Sequence, residues 1–242
     1  MGAFGWGLVA SSSLIIGAVI VLVRPLSQRT IGLIMAFGAG VLISAVAYDL
    51  VEDASEMAEG GLALFAGLAA GAFTFFLGDL ALDRWGARGR KSSTGVQTGG
   101  GASAIALGTV LDGIPESVVL GTTLVGGGGV SVTMLAAVFL SNLPEAMSAT
   151  AGLSKAGTST KQLMVLWGTT MLISGVAAGV GFLALGDASG STVAFVQSFA
   201  AGALLTMLID TMIPEAYEFG GRASGLVTVL GFSVAFGLSA IA

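Results

Sequence analysis

Three of the four prolines in this chain are followed directly by glutamate, and each pair interrupts an apolar run. The runs read Asp112-Gly-Ile-Pro115-Glu116-Ser117, Ser141-Asn142-Leu-Pro144-Glu145-Ala146 and Asp210-Thr-Met-Ile-Pro214-Glu215-Ala216. In a helix, Asp112 and Glu116 share one face, as do Ser141 and Glu145, and Asn142 lies three residues before Glu145 on nearly the same face. Proline has no N–H, so Pro115 and Pro144 release the carbonyls of Leu111 and Leu140 from their helical hydrogen bonds. Carboxylates, an amide, a hydroxyl and freed carbonyls form an oxygen-rich set suited to a divalent cation, or to proton exchange.

Charge balance makes that chemistry necessary rather than optional. An ionised carboxylate at the centre of a membrane span costs about 2.5 to 3.5 kcal/mol on insertion scales. All nine basic residues, Arg24, Arg29, Arg84, Arg88, Arg90, Lys91, Lys155, Lys161 and Arg222, fall in connections between apolar segments. No internal salt bridge is therefore expected for Asp112, Glu116 or Glu145, and a proton or a bound cation must neutralise them. The chain has no histidine and no cysteine, which excludes imidazole, thiolate and disulfide chemistry.

The elements that position these groups are membrane helices. Of 242 residues, 55% are hydrophobic and only 10% charged, with 39 glycines, and the mean hydropathy is +0.96. A soluble domain carries about 25% charged residues, and a bilayer crossing needs about 20 apolar ones. Apolar periodicity predicts an all-α polytopic membrane protein with eight spans, at about 4–23, 30–52, 60–82, 102–125, 130–153, 161–185, 191–215 and 222–241. A single transmembrane domain, 1–242, follows, with a basic, glycine/serine-rich cytoplasmic linker at 83–101 and a four-glycine turn before the fifth span. The basic residues occupy alternate connections, so the positive-inside rule places both termini outside the cell membrane. The first span has no basic residue ahead of it and reads as a retained helix.

A repeat adds a second constraint. Phe37-Gly-Ala-Gly40, running on to Tyr48-Asp49-Leu-Val-Glu52-Asp53-Ala54, echoes Phe199-Ala-Ala-Gly202, running on to Asp210-Thr-Met-Ile-Pro214-Glu215-Ala216. The two copies lie in the second and seventh spans, which the charge pattern orients oppositely, the mark of an inverted-repeat transporter. The glycines alone would read as close helix packing, as in Gly67-Leu-Ala-Ala-Gly71 and Gly175-Val-Ala-Ala-Gly179. The acidic ends favour duplication.

At these residues the chain resembles the ZIP family of divalent metal transporters. The resemblance implies eight transmembrane helices, an inverted repeat of helices one to three and six to eight around a central pair, and a metal site between helices four and five. The family's fourth-helix motif, His-Asn-x-Pro-Glu-Gly, falls on Asp112-Gly113-Ile114-Pro115-Glu116-Ser117, and its fifth-helix motif on Ser141-Asn142-Leu143-Pro144-Glu145-Ala146. The departures are the replacement of the family's histidines by Asp112 and Ser141, of an asparagine by Gly113, and of a sixth-helix glutamate by Ser174. Zinc is the family's usual substrate, but an all-oxygen site also suits Mn, Mg, Ca or Fe(II).

The expected function is transport of a divalent metal cation, with Glu116 and Glu145 clamping the ion, Asp112 and Asn142 completing its shell and Ser141 contributing weakly. Asp49, Asp210 and Ser174 are candidates for the transport path. No prosthetic group, no nucleic-acid partner and no enzymatic activity is expected, and the glycine faces allow a homodimer in the lipid bilayer. Two other readings use the same carboxylates: a proton- or sodium-coupled carrier of a non-metal solute, and an intramembrane acid hydrolase pairing Asp49 with Asp112. For Glu215 the structural reading is preferred, a helix restarted at proline with an acid at its N-terminus. Met147, Met207 and Met212 read as packing residues.

Overall fold

The structure, a computed structural model, describes residues 2–58, 61–84, 102–125, 129–186 and 188–240, with only the backbone of 102–107. Nearly all of the 83–101 linker and most of the four-glycine turn lie outside the described residues. Within them the chain is helical and contains no strand. We name the helices α1 (Ala3–Val23), α2 (Gln28–Met57), α3 (Leu62–Leu82), α4 (Ala102–Thr122), α5 (Val132–Lys155), α6 (Thr160–Leu185), α7 (Gly190–Gly220) and α8 (Ala223–Ser239). Among the described residues six of these, all but α4 and α8, are long and apolar enough to cross a membrane. The protein is a multi-pass membrane protein.

Serine caps start four of the helices. Ser27, Ser131, Ser159 and Ser189 accept from the backbone N–H of Thr30, Met134, Gln162 and Thr192, satisfying donors the first turn leaves open. Ser159 and Gln162 form a reciprocal capping box. Pro115 and Pro144 do not divide α4 and α5, which run through them unbroken. Among the described residues α2 widens to π-helix within its length over Val46–Glu52, and α7 over Leu208–Met212. Pro214, which cannot donate to the Asp210 carbonyl, accounts for the second of these. The first has no proline, and its cause is not evident.

The helices associate in two sets. Helix α1 packs on α5 and α6, and α4 on α6; α2 packs on α7 and α8, and α3 on α7. Glycine makes these approaches possible, because a Cβ would collide with the opposing backbone. Gly17 faces the Leu143 carbonyl of α5, at 2.5 Å from where its Cβ would lie, and Gly67 faces the Phe195 carbonyl of α7 at 2.6 Å. The buried Trp167 indole of α6 donates to Thr150 Oγ1 of α5 at 2.8 Å, tying the first set further. The sets meet chiefly where α2 crosses α5 and α4 meets α7, over a shared core including Met35, Leu42, Leu120, Met134 and Leu204. Outward faces of α3, α6 and α8 carry Phe65, Phe73, Leu172, Leu183, Leu226 and Val229, all exposed, as lipid contact requires.

Candidate functional site

The first set of helices carries the oxygen-rich residues singled out from the sequence. Asp112 and Glu116 of α4, Ser141, Asn142 and Glu145 of α5, and Ser174 of α6 are each at most 4% exposed. Such burial is exceptional for carboxylates. The α4–α5 pairing is direct: Ser141 Oγ donates to Glu116 Oε1 at 3.0 Å, and Asn142 Nδ2 donates to Glu116 Oε2 at 3.2 Å. Both oxygens of Glu116 thus act as acceptors, the role an ionised carboxylate fills.

The Ser141 hydroxyl has a second acceptor in reach, the Val138 carbonyl of its own helix at 3.1 Å. With one proton it can serve only one acceptor fully, and a charged carboxylate is the stronger. The hydroxyl can therefore turn away from Glu116 without being stranded. A cation arriving at Glu116 would displace two neutral donors, of which the Ser141 hydroxyl has a second acceptor in reach.

Ser174 lies beside this group. Its Oγ is 3.5 Å from where a Cβ on Gly113 would be, so the small residue at 113 brings α6 against α4 one residue from Asp112. Asp112 and Glu145 each have an interaction partner. Among the described residues no three acidic side chains stand close enough together to cage a metal ion. The Leu140 carbonyl, one the sequence offered as a ligand, lies against Gly38 of α2, 2.7 Å from where a Cβ would be.

The remaining candidates lie elsewhere. Asp49 accepts from Ser131 Oγ, the cap of α5, at 3.3 Å. It lines a cavity of about 420 Å³ with Tyr48, Glu52, Asp53, Glu56 and Ser239; Asp112 does not line that cavity. Tyr48 packs on Phe236 of α8, with ring centroids 5.0 Å apart. Asp210 is exposed, within the π-helical turn of α7, close enough to Asp79 of α3 for their charges to interact. Asp79 was not singled out in the sequence, although it is an acid inside an apolar run. Pro214 stands in the first turn of the closing helical segment Ile213–Gly220 with Glu215 beside it, the structural role preferred for this pair. Met147, Met207 and Met212 are buried in apolar clusters.

No family model matches the chain. A proposed zinc transporter of Arabidopsis thaliana is 27% identical over 205 residues, covering 84% of this chain and 32% of the relative. The chain thus spans about a third of the length of that protein. The chain is therefore similar to part of a protein whose name proposes zinc transport, and its apolar helices are of membrane-spanning length in six cases among the described residues.

Proposed function

We propose that the protein carries a divalent metal cation across a cell membrane through a site between α4 and α5, clamped by Glu116 and Glu145. Asn142 would complete the shell with them, Asp112 would join it only on a movement that brings the three carboxylates together, and Ser141 would contribute weakly. The observation that carries this reading is the buried Glu116 carboxylate, reached from the neighbouring helix by two neutral donors, one of which, the Ser141 hydroxyl, has a second acceptor in reach. Ser174, against Gly113, stands on the path beside Asp112. Asp49, with the acidic cavity around it, would receive the ion at one end of the bundle, and Asp210 would meet it at the other. The ion's two charges supply the neutralisation that the helices cannot.

All eight helices would span the membrane, with both termini outside, in an inverted repeat that exchanges α1 with α6, α2 with α7, α3 with α8 and α4 with α5. The packing supports that exchange at single-residue level. Gly40 of α2 meets the Thr228 carbonyl of α8, and Gly202 of α7 meets the Leu68 carbonyl of α3. In return Gly231 meets the Phe37 carbonyl, and Gly71 that of Phe199. Phe37 and Gly40 correspond to Phe199 and Gly202 in the sequence repeat. The serine caps Ser27 and Ser189, and the π-helical turns starting at Val46 and Leu208, correspond in the same register.

This arrangement suits alternating access, in which the carboxylate-bearing set α1, α4, α5 and α6 moves against the other four helices. Their mutual contacts are narrower than those within each set. The relative's name proposes zinc. Without imidazole or thiolate, discrimination for zinc over Mn or Fe(II) narrows, and the ion must be found by measurement.

The test is the metal content of the purified protein, set against a Glu116→Gln/Glu145→Gln double variant that elutes as a folded species. We expect a divalent metal retained near stoichiometry by the parent and lost from the variant. Equal content in both would place the ion elsewhere, and pH-dependent flux of a non-metal solute with no metal bound would replace the cation reading by a coupled carrier.

A further inference from the structure

Ser131, the cap of α5, is committed on three sides. Its Oγ accepts from the Met134 N–H at 3.0 Å and donates its one proton to Asp49 Oδ2 of α2 at 3.3 Å. Its own N–H donates to Thr123 Oγ1, just past the end of α4, at 3.3 Å. A single serine thus ties the adjoining ends of α4 and α5, which belong to one helix set, to α2, which belongs to the other. We propose that the Ser131–Asp49 hydrogen bond is a latch that holds the two helix sets in this arrangement and is released when a cation takes Asp49.

Two terms hold the latch closed. The bond runs to a carboxylate, which makes it stronger than a bond between neutral groups, and Asp49 meets the amino end of α5, where the helix dipole favours a negative charge. A cation on Asp49 reverses both. It withdraws the charge that strengthens the Ser131 bond, and it is itself repelled by the positive end of the dipole, so ion and helix compete for one carboxylate. Asp49 lines a cavity of about 420 Å³, through which a cation reaches it, and Ser239 of α8, from its own helix set, is a second donor to it. Releasing Ser131 therefore leaves Asp49 seated on α2 while freeing α5.

The latch also makes the two ends of the molecule unlike. In the proposed repeat Thr211 of α7 stands where α2 has Asp49, and its hydroxyl donates to the Met207 carbonyl of its own helix at 2.7 Å. A tie between helix sets that is stronger at one end biases a two-state carrier toward one of its states. The inference rests on the reading of two helix sets that move against each other, with Asp49 as the point where an ion arrives, and not on the carboxylates Glu116 and Glu145.

The chain has no cysteine, so two spin labels can be attached with no other change. Leu62→Cys of α3 and Val132→Cys of α5 place them at exposed positions on opposite helix sets, Val132 adjoining Ser131 and Leu62 following the end of α2. Double electron–electron resonance in nanodiscs then reads the separation of the sets, and we expect one main distance in the ion-free protein. Ser131→Asp keeps a cap for α5 but sets a second carboxylate against Asp49, and should change the ratio of two distance populations about tenfold or more. Ser131→Asn, which caps α5 and keeps a donor for Asp49, should leave the distance unchanged, separating the latch from loss of the cap. Millimolar Zn²⁺ or Ca²⁺ should reproduce the Ser131→Asp distribution in the parent, and equally in a Glu116→Gln/Glu145→Gln background. It should not do so in Asp49→Asn, whose amide oxygen still accepts from Ser131 but offers the ion no charge. An unchanged Ser131→Asp distribution, no response of the parent to either ion, or a response that depends on Glu116 and Glu145 rather than on Asp49 would overturn the latch. A protein that carries no metal would end the transport reading, while the ion-free comparison of parent and Ser131→Asp would still decide the latch.

Discussion

At the scale of single residues, the chemistry centres on Glu116 and on how loosely one of its donors, the Ser141 hydroxyl, is committed. A neutral hydrogen bond is worth about 0.5 to 1.5 kcal/mol net, and one to a charged group about 1.5 to 3. Ser141→Ala should therefore slow transport by a modest factor, about tenfold or less, because its hydroxyl is a replaceable donor. Glu116→Gln should reduce it at least a hundredfold. Initial uptake rates separate the two, and equal losses would make Ser141 an essential ligand. Spacing alone placed Asp112 with Glu116 on one face of its helix, and Ser141 and Asn142 with Glu145 on one face of theirs, because helical periodicity fixes which residues share a side. The partnership of Glu116 with Ser141 and Asn142 was not legible, since register between helices is set by packing. The position of the Leu140 carbonyl against Gly38 was hidden for the same reason.

At the scale of helices, small residues set the distances. A Cβ at Gly40 or Gly202 would run into the backbone of the neighbouring helix, whereas one at Gly113 would make ordinary contact with Ser174 at 3.5 Å. Gly40→Ala and Gly202→Ala should each destabilise the protein by about 1 to 3 kcal/mol through overpacking. Gly113→Ala should be neutral or stabilising by up to about 1 kcal/mol, the helix propensity gained. Thermal unfolding in detergent checks all three. Gln197 offers a complementary case: it is buried, its Oε1 has no hydrogen-bond partner among the described residues, and Met35 is its counterpart in the proposed repeat. Gln197→Met should raise stability by about 1 to 2 kcal/mol, and a loss instead would show that the amide has a partner such as water. Six of the helices were visible in the sequence as apolar runs of membrane length. Their exact ends were not: α2 continues past the expected residue 52 to Met57, since the acids Asp53 and Glu56 are tolerated where a helix leaves the bilayer.

At the scale of the whole molecule, the packing has a consequence for motion. The carboxylates sit in one helix set, and the other set offers apolar surface, glycine contacts and acidic residues toward its ends. The proposed duplication rests in the sequence on Phe37 and Gly40, which echo Phe199 and Gly202. The division into two sets was not, because it depends on which faces meet, and α4 and α5 give no sign of their partners. If an ion rides on one set, the contact of Gly38 with the Leu140 carbonyl lies on the sliding seam between them. Gly38→Val should impair uptake more than it impairs metal binding, a split measured by running both assays on one preparation. The central claim, that a divalent cation is carried on Glu116 and Glu145, is tested most directly by uptake into proteoliposomes across Zn, Mn, Fe(II), Mg and Ca. Saturable uptake of at least one of these ions by the parent, abolished in Glu116→Gln and Glu145→Gln variants that retain the fold, is the predicted result; variants that carry the ion as fast as the parent would contradict it.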